Sequence, residues 1–233
     1  MERPTLPTIL FLAGLISLVS CRPASFNGEA NTLSIGIGRV NITPNEPIRM
    51  SGYGGRTGLS TGVAGQLWAK ALAIGEAEDT AILVTLDLVG IPSWLTQNVV
   101  KELGIPESNL ALCATHTHSG PHLRDVLNPI FMEDIPPDHW AVIDRYSDDL
   151  ISKVVDACRL ALNDRKPGRL SWSQGEVGFA GNRRVLENGI WTGFGTQADG
   201  PVDRSLPVMK ITDSAGNLRG VLANYACHCT TLG

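Results

Sequence analysis

The chain has 233 residues, 43% of them apolar and 18% charged, with a formal net charge of -4. That apolar share is ample for a packed core and excludes a disordered chain. Lys and Arg are scattered without a basic stripe, which removes the electrostatic case for nucleic acid, and the many Gly and Pro residues point to tight loops.

Arg3 followed by the apolar stretch Leu6 to Val19, short for a bilayer span, marks residues 1–21 as a signal peptide. Leu18-Val19-Ser20-Cys21 resembles the bacterial lipoprotein cleavage box, in which Cys21 becomes the lipidated first residue. Ordinary secretory cleavage after Ser20 is the alternative. Either route exports the product to the bacterial cell envelope, lipid-anchored, periplasmic or extracellular. Residues 22–32 are expected to be a linker and residues 33–233 a single domain.

Alternation of apolar and polar residues predicts a strand over Ser34 to Asn41, ended by the turn Thr43-Pro44-Asn45. Gly52-Tyr53-Gly54-Gly55-Arg56-Thr57-Gly58 is a flexible loop whose glycine spacing is not a nucleotide fingerprint. Leu67 to Glu76 and Ala81 to Val89 are predicted strands, joined as a hairpin around Glu78-Asp79, with Asp87 near the end of the second. A helix is expected from Ser93 as N-cap to Leu103, stopped by Gly104. Asn109 to Ala114 is a short buried strand. Ile143, Tyr146, Leu150, Val154, Ala157 and Ala161 recur at helical spacing in a predicted helix over Ile143 to Asn163. Arg169 to Glu176, Val208 to Thr212 and Leu218 to Ala226 complete the strands, the last two joined by the loop Asp213 to Asn217. The order implies an α/β fold with a mixed β-sheet and flanking helices.

Three of the five histidines fall in Thr115-His116-Thr117-His118-Ser119-Gly120-Pro121-His122, directly after a predicted strand. In an extended chain residues i and i+2 share a side, so His116 and His118 are expected to face one pocket. Such a pair can hold zinc, or one ring can bind metal while the other moves protons; ordinary loop histidines are the alternative. A second candidate is His228, just past the last strand. Asp87 is expected to be structural, His122 to face solvent, and His139 to lie in a surface loop or at a helix start. Cys113 can pair with Cys227 or Cys229 if the two His-bearing strands are neighbours, or Cys227 and Cys229 can serve zinc; a disulfide between those two would be strained. The sequence stops at Thr231-Leu232-Gly233, immediately behind a site motif, which is the pattern of a fragment of a longer product.

Ile42-Thr43-Pro44, Gly52-Tyr53-Gly54, Ala114 to Pro121, Gly181-Asn182-Arg183 and Ala226 to Thr231 occur in the order seen in neutral/alkaline non-lysosomal ceramidases, N-terminal domain. The string Thr-His-Thr-His-Ser-Gly-Pro is the specific part, and the chain resembles that family over approximately Leu33 to Gly233. The resemblance implies a zinc amidase acting on an N-acylated, lipid-like substrate. It makes His116 and His228 metal ligands, His118 the neighbouring catalytic histidine and Arg183 the catalytic arginine that steadies a developing oxyanion. Family members carry Ser-Pro after the Asn-Arg pair, where this chain has Arg184-Val185, so contacts to substrate differ there. The remaining family ligands, a Glu and a Tyr, lie beyond Gly233. This stretch alone is therefore expected to bind zinc weakly and to be inactive, and a silent envelope lipoprotein that keeps the fold as a binding module is the alternative.

Overall fold

The computed structural model describes residues 32–131 and 133–230. The expected leader, Cys21 and the linker up to residue 31 lie outside them.

The chain opens as an antiparallel meander, β1 (Leu33–Asn41), β2 (Trp68–Ile74) and β3 (Ala81–Leu86). Helix α1 (Ser93–Leu103) then crosses back to place β4 (Leu110–Ala114) parallel to β3. Helix α2 (Pro137–Asn163) leads to β5 (Lys166–Glu176), and β6 (Arg184–Glu187) with β7 (Ile190–Phe194) forms a separate hairpin. β8 (Ser205–Asp213) and β9 (Leu218–Ala223) close the order β4-β3-β2-β1-β5-β8-β9. The mixed sheet with two flanking helices is the α/β architecture expected from the sequence.

Both helices cover one face. Ala69, Ala71 and Ala73 of β2 and Ile82, Val84 and Leu86 of β3 meet Leu95, Val99, Ile143, Leu150, Val154 and Ala161 there in the main core. Small residues on β1 and β2 let α2 approach the sheet closely. A Cβ on Gly36 would stand 1.8 Å from the Ala161 carbonyl oxygen, and one on Gly38 would stand 2.3 Å from that of Ala157. On the opposite face β8 and β9 curl back over the meander. Ile211 packs with Ile35 and Leu72, Gly220 sits against Ile37, and Arg219 donates to the Ile35 carbonyl oxygen at 2.6 Å while pairing with Asp164. That curl brings the far edge of the sheet back toward the near one.

Three expectations shift in detail. Ser93 is the first helical residue and Pro92 the cap, because the Pro92 carbonyl already accepts the Leu95 N–H at 3.1 Å. Helix α2 starts at Pro137, six residues before the apolar periodicity, since proline at the first turn presets φ and its missing N–H costs nothing there. His139 thus lies in the first helical turn. The β6–β7 hairpin went unpredicted although Asn188-Gly189 is a strong turn signal: both residues adopt positive φ, 52° and 80°, as a type I′ turn requires.

The close approach of α2 to β1 makes a direct prediction. Gly36→Ala should lower stability by about 1–3 kcal/mol through overpacking, whereas Gly175→Ala on β5, with open space around it, should be near neutral. Thermal melts of the two variants check this; equal melting points would contradict the packing.

Candidate metal centre

The first histidine loop leaves β4 still hydrogen-bonded to β3, the Thr115 N–H donating to the Leu86 carbonyl oxygen at 2.9 Å. Asp87 braces that junction, accepting from the Trp68 N–H at 2.9 Å and the Thr115 hydroxyl at 3.2 Å, which is the structural role expected of it. The next step is not the extended alternation predicted from sequence. His116 takes a left-handed conformation, φ 58°, which is sterically costly for a non-glycine residue. A bond from its ring to the Val89 carbonyl oxygen, 2.7 Å, holds it there. Because a carbonyl only accepts, Nδ1 carries the proton and Nε2 presents a lone pair.

His118 is held from three sides by the Gly52–Gly58 loop. Tyr53 meets its ring edge-on at 4.9 Å, and a Cβ at Gly52 would come within 2.7 Å of its Cγ and Nδ1. Arg56 lies over Tyr53, 4.6 Å from the ring centroid, and donates to the carbonyl oxygens of Ser51 and His118. Behind them Arg49 is fully buried, donating to the carbonyl oxygens of Arg56 and Thr57 at 2.8 and 2.9 Å and stacking on Phe131. Sequence reasoning passed over Tyr53, Arg56 and Arg49, since a glycine-rich loop carries no sign of which side chain it wraps. His122, expected to face solvent, is fully buried. Its two nitrogens are satisfied by Ser51 Oγ at 3.4 Å and Asn128 Oδ1 at 3.1 Å, and Phe131 packs edge-on against the ring, which removes the need for water.

His228 arrives from the other edge of the sheet. Tyr225 anchors the segment, its hydroxyl donating to the Val177 carbonyl oxygen at 3.0 Å and accepting from the Ala180 N–H at 3.2 Å. The curl of β8 and β9 then brings His228 Nε2 to 3.0 Å from His118 Nε2 and 3.1 Å from His116 Nε2. β4 and β9 are the two sheet edges and not neighbours, and Cys113, Cys158, Cys227 and Cys229 are all free thiols. Burial pushes the Cys158 thiol up to about 12.

The three nitrogens suit a small metal ion. Four nitrogens at about 2.0–2.1 Å around tetrahedral zinc stand about 3.3 Å apart, close to the two separations His228 makes, and all three ligand atoms lie within 4.8 Å of one another. Among the described residues no carboxylate or thiol joins this cluster. Desolvation, then the neighbouring histidines and Arg56, holds His118 below the usual histidine range; desolvation, then His116, Arg183 and Arg184, does the same for His228. Both rings are therefore neutral near pH 7, the form in which an imidazole can bind metal or accept a proton. Arg183 Nη2 stands 2.9 Å from His228 Nδ1. Arginine only donates, so Nδ1 accepts, and the neutral ring carries its proton on Nε2, shared toward the other two nitrogens. Ligation through His228 Nε2 therefore requires Arg183 to release Nδ1 so that the proton can move there.

Residues 33–233 match the N-terminal region of neutral/alkaline non-lysosomal ceramidase. The chain belongs to that family. Among family members it is similar to the neutral ceramidase of Pseudomonas aeruginosa, 25% identical over 84% of this chain and 30% of that protein. It is also similar to the neutral ceramidase of Drosophila pseudoobscura pseudoobscura, 23% identical over 96% of this chain and 31% of that protein. The fold is that of the crystal structure of the Pseudomonas aeruginosa neutral ceramidase, with a TM-score of 0.69 at 23% identity over 87% of this chain and 33% of that one. A ceramidase structure complexed with C2 gives 0.66 at 23% identity over 85% of this chain and 32% of that one. The chain thus spans about a third of the length of the ceramidases it matches.

Buried His122 contributes to the pH response of this region. Desolvation lowers its pKa below the ordinary 6.5, outweighing the Asn128 bond, and Arg49 adds to the lowering. The folded state thus binds this proton less readily than the unfolded chain, so the contribution is present above about pH 6.5 and lost as pH falls. The melting temperature should drop between about pH 6.5 and 5, and less steeply in His122→Gln. Parallel pH profiles of the two proteins would contradict this.

Proposed function

We propose that this chain supplies the histidine half of a zinc-dependent hydrolase that cleaves the carbon–nitrogen bond of an N-acyl amide, with a ceramide-type lipid as the substrate class. The observation that carries the reading is the convergence of His116, His118 and His228 Nε2 on one point in a chain of the ceramidase family. His116 and His228 are the ligands. His116 has the outer partner expected of a metal-bound histidine, the Val89 carbonyl oxygen. His118 differs: the Gly52–Gly58 loop fixes its ring, Tyr53 meeting it edge-on, and its Nε2 faces the same point as the His228 nitrogen, where a ring can take up and return a proton. Catalytic zinc takes three protein ligands in most sites, so the two histidines need at least one more.

A zinc ion held there would supply Lewis acidity toward the amide carbonyl. His118 Nε2 takes a proton from the attacking water and returns it to the departing amine, and the C–N bond breaks to give a carboxylic acid and an amine. Arg183, once off His228 Nδ1, donates to the carbonyl oxygen as negative charge develops. A cleft of about 510 Å³ opens beside the site, between the Thr43–Ile48 and Ser60–Leu67 segments and against Ser119-Gly120-Pro121. It does not contain the histidines but adjoins them through the residues directly after His118, and it is the place for an apolar chain of the substrate. The leader and Cys21, outside the described residues, would export the protein and anchor it in the cell envelope.

The test is zinc content and N-acylsphingosine hydrolysis by the full gene product. His116→Ala and His228→Ala should each weaken zinc binding by more than the roughly 10- to 100-fold cost of losing an outer-shell partner, and activity should fall with it. Undiminished zinc and activity in both variants would sink the reading. Arg183→Ala should behave differently, with kcat about 100- to 1,000-fold lower and zinc affinity equal or higher, because removing the guanidinium frees His228 Nδ1. Loss of zinc in Arg183→Ala would show that the arginine only supports the ligand.

A further inference from the structure

We propose that the β6–β7 hairpin docks on a phospholipid bilayer and seats the histidine site against it. The hairpin is a two-stranded sheet of its own and shares no backbone pairing with the seven-stranded sheet. Its large apolar side chains face outward: Ile190 is 70% exposed, Phe194 69%, Trp191 53% and Leu186 49%. Leaving four such groups in water in an eleven-residue stretch is unfavourable, and contiguous exposed apolar surface of this kind marks a contact with another phase or molecule.

The chemistry of the hairpin selects a bilayer as that partner. Leu186 pairs with Trp191 and Arg184 with Phe194 across the strands, and the Trp191 and Phe194 rings meet edge-on at 5.7 Å. Both Arg184 and Arg183 lie over the Phe194 ring, 4.8 and 5.9 Å from its centroid. Apolar groups at the outer end, an indole between, and two guanidiniums at the root follow the polarity gradient of a lipid headgroup layer, where tryptophan settles and arginine pairs with phosphate. Glu187 is the one carboxylate on the two strands, against this arginine pair. Among the described residues no helix is long and apolar enough to cross a membrane. The hairpin is also continuous with the metal centre, since the same Arg183 that faces Phe194 contacts His228. An amphiphile leaving the bilayer along the hairpin arrives at the site. The purpose of the docking rests on the N-acyl lipid reading above, but the docking itself does not require hydrolysis.

The experiment uses the full gene product, with Cys21→Ser so that no acyl anchor contributes, and vesicles of phosphatidylcholine with and without phosphatidylglycerol. It should float with both, more with the anionic lipid, and brominated lipid should quench Trp191, a component of the quenching that disappears in Trp191→Phe. The triple variant Leu186→Ser, Ile190→Ser, Trp191→Ser should lose about tenfold or more of the vesicle partition with an unchanged thermal melt, since these side chains lie outside the core. His116→Ala should keep full vesicle binding, which separates this proposal from the hydrolase reading. Absence of vesicle binding, equal binding by the triple variant, or concentration-dependent self-association that the triple variant abolishes in place of vesicle binding would overturn it.

Discussion

His228 Nε2 lies within hydrogen-bonding distance of both His116 and His118, 3.1 and 3.0 Å away, and the rest of the molecule is arranged around that meeting. The two loops come from opposite edges of a seven-stranded sheet. They meet only because β8 and β9 fold back over the first three strands, and that fold depends on small residues at the crossings. Gly220 admits Ile37 on one face, while Gly36 and Gly38 admit the backbone of α2 on the other. A side chain at any of these positions would push layers apart and move the histidines with them.

Three imidazoles so close cannot all be charged. Desolvation, then repulsion from neighbouring rings, favours the neutral forms of His118 and His228, and the His228 Nε2 proton is shared toward the other two rings. Such a set is poised to exchange that proton for a metal ion. In the proposed zinc site Arg183 would govern that exchange, because while it donates to His228 Nδ1 the ring cannot offer a lone pair at Nε2. One guanidinium therefore links three things: the tautomer of His228, the charge at the site, and the aromatic hairpin on which it also rests.

Local features of the fold were legible in the sequence. Alternation marked β1, helical periodicity marked α2, and Gly104 stopped α1 in the left-handed conformation expected of a helix end. The histidine string and the order of the short motifs gave the family. What escaped was non-local. His122 looked like a solvent-facing loop residue because its partners, Ser51 and Phe131, are distant in sequence or lie beyond a turn. The convergence of His116 and His118 was anticipated for the wrong reason, since the chain turns at His116 through a left-handed residue instead of running on as a strand. Arg49, buried beneath the loop that wraps His118, has no sequence signature, because an arginine is buried only where the folded chain supplies carbonyl oxygens to receive it.

In the proposed site imidazole nitrogens, not the adjacent thiols of Cys227 and Cys229, hold the metal. X-ray absorption at the zinc edge of the zinc-loaded full gene product measures this directly. The expected result is a first shell of nitrogen and oxygen at about 2.0–2.1 Å with the outer-shell pattern of imidazole, lost in His116→Ala. A sulfur shell at about 2.3 Å would contradict it.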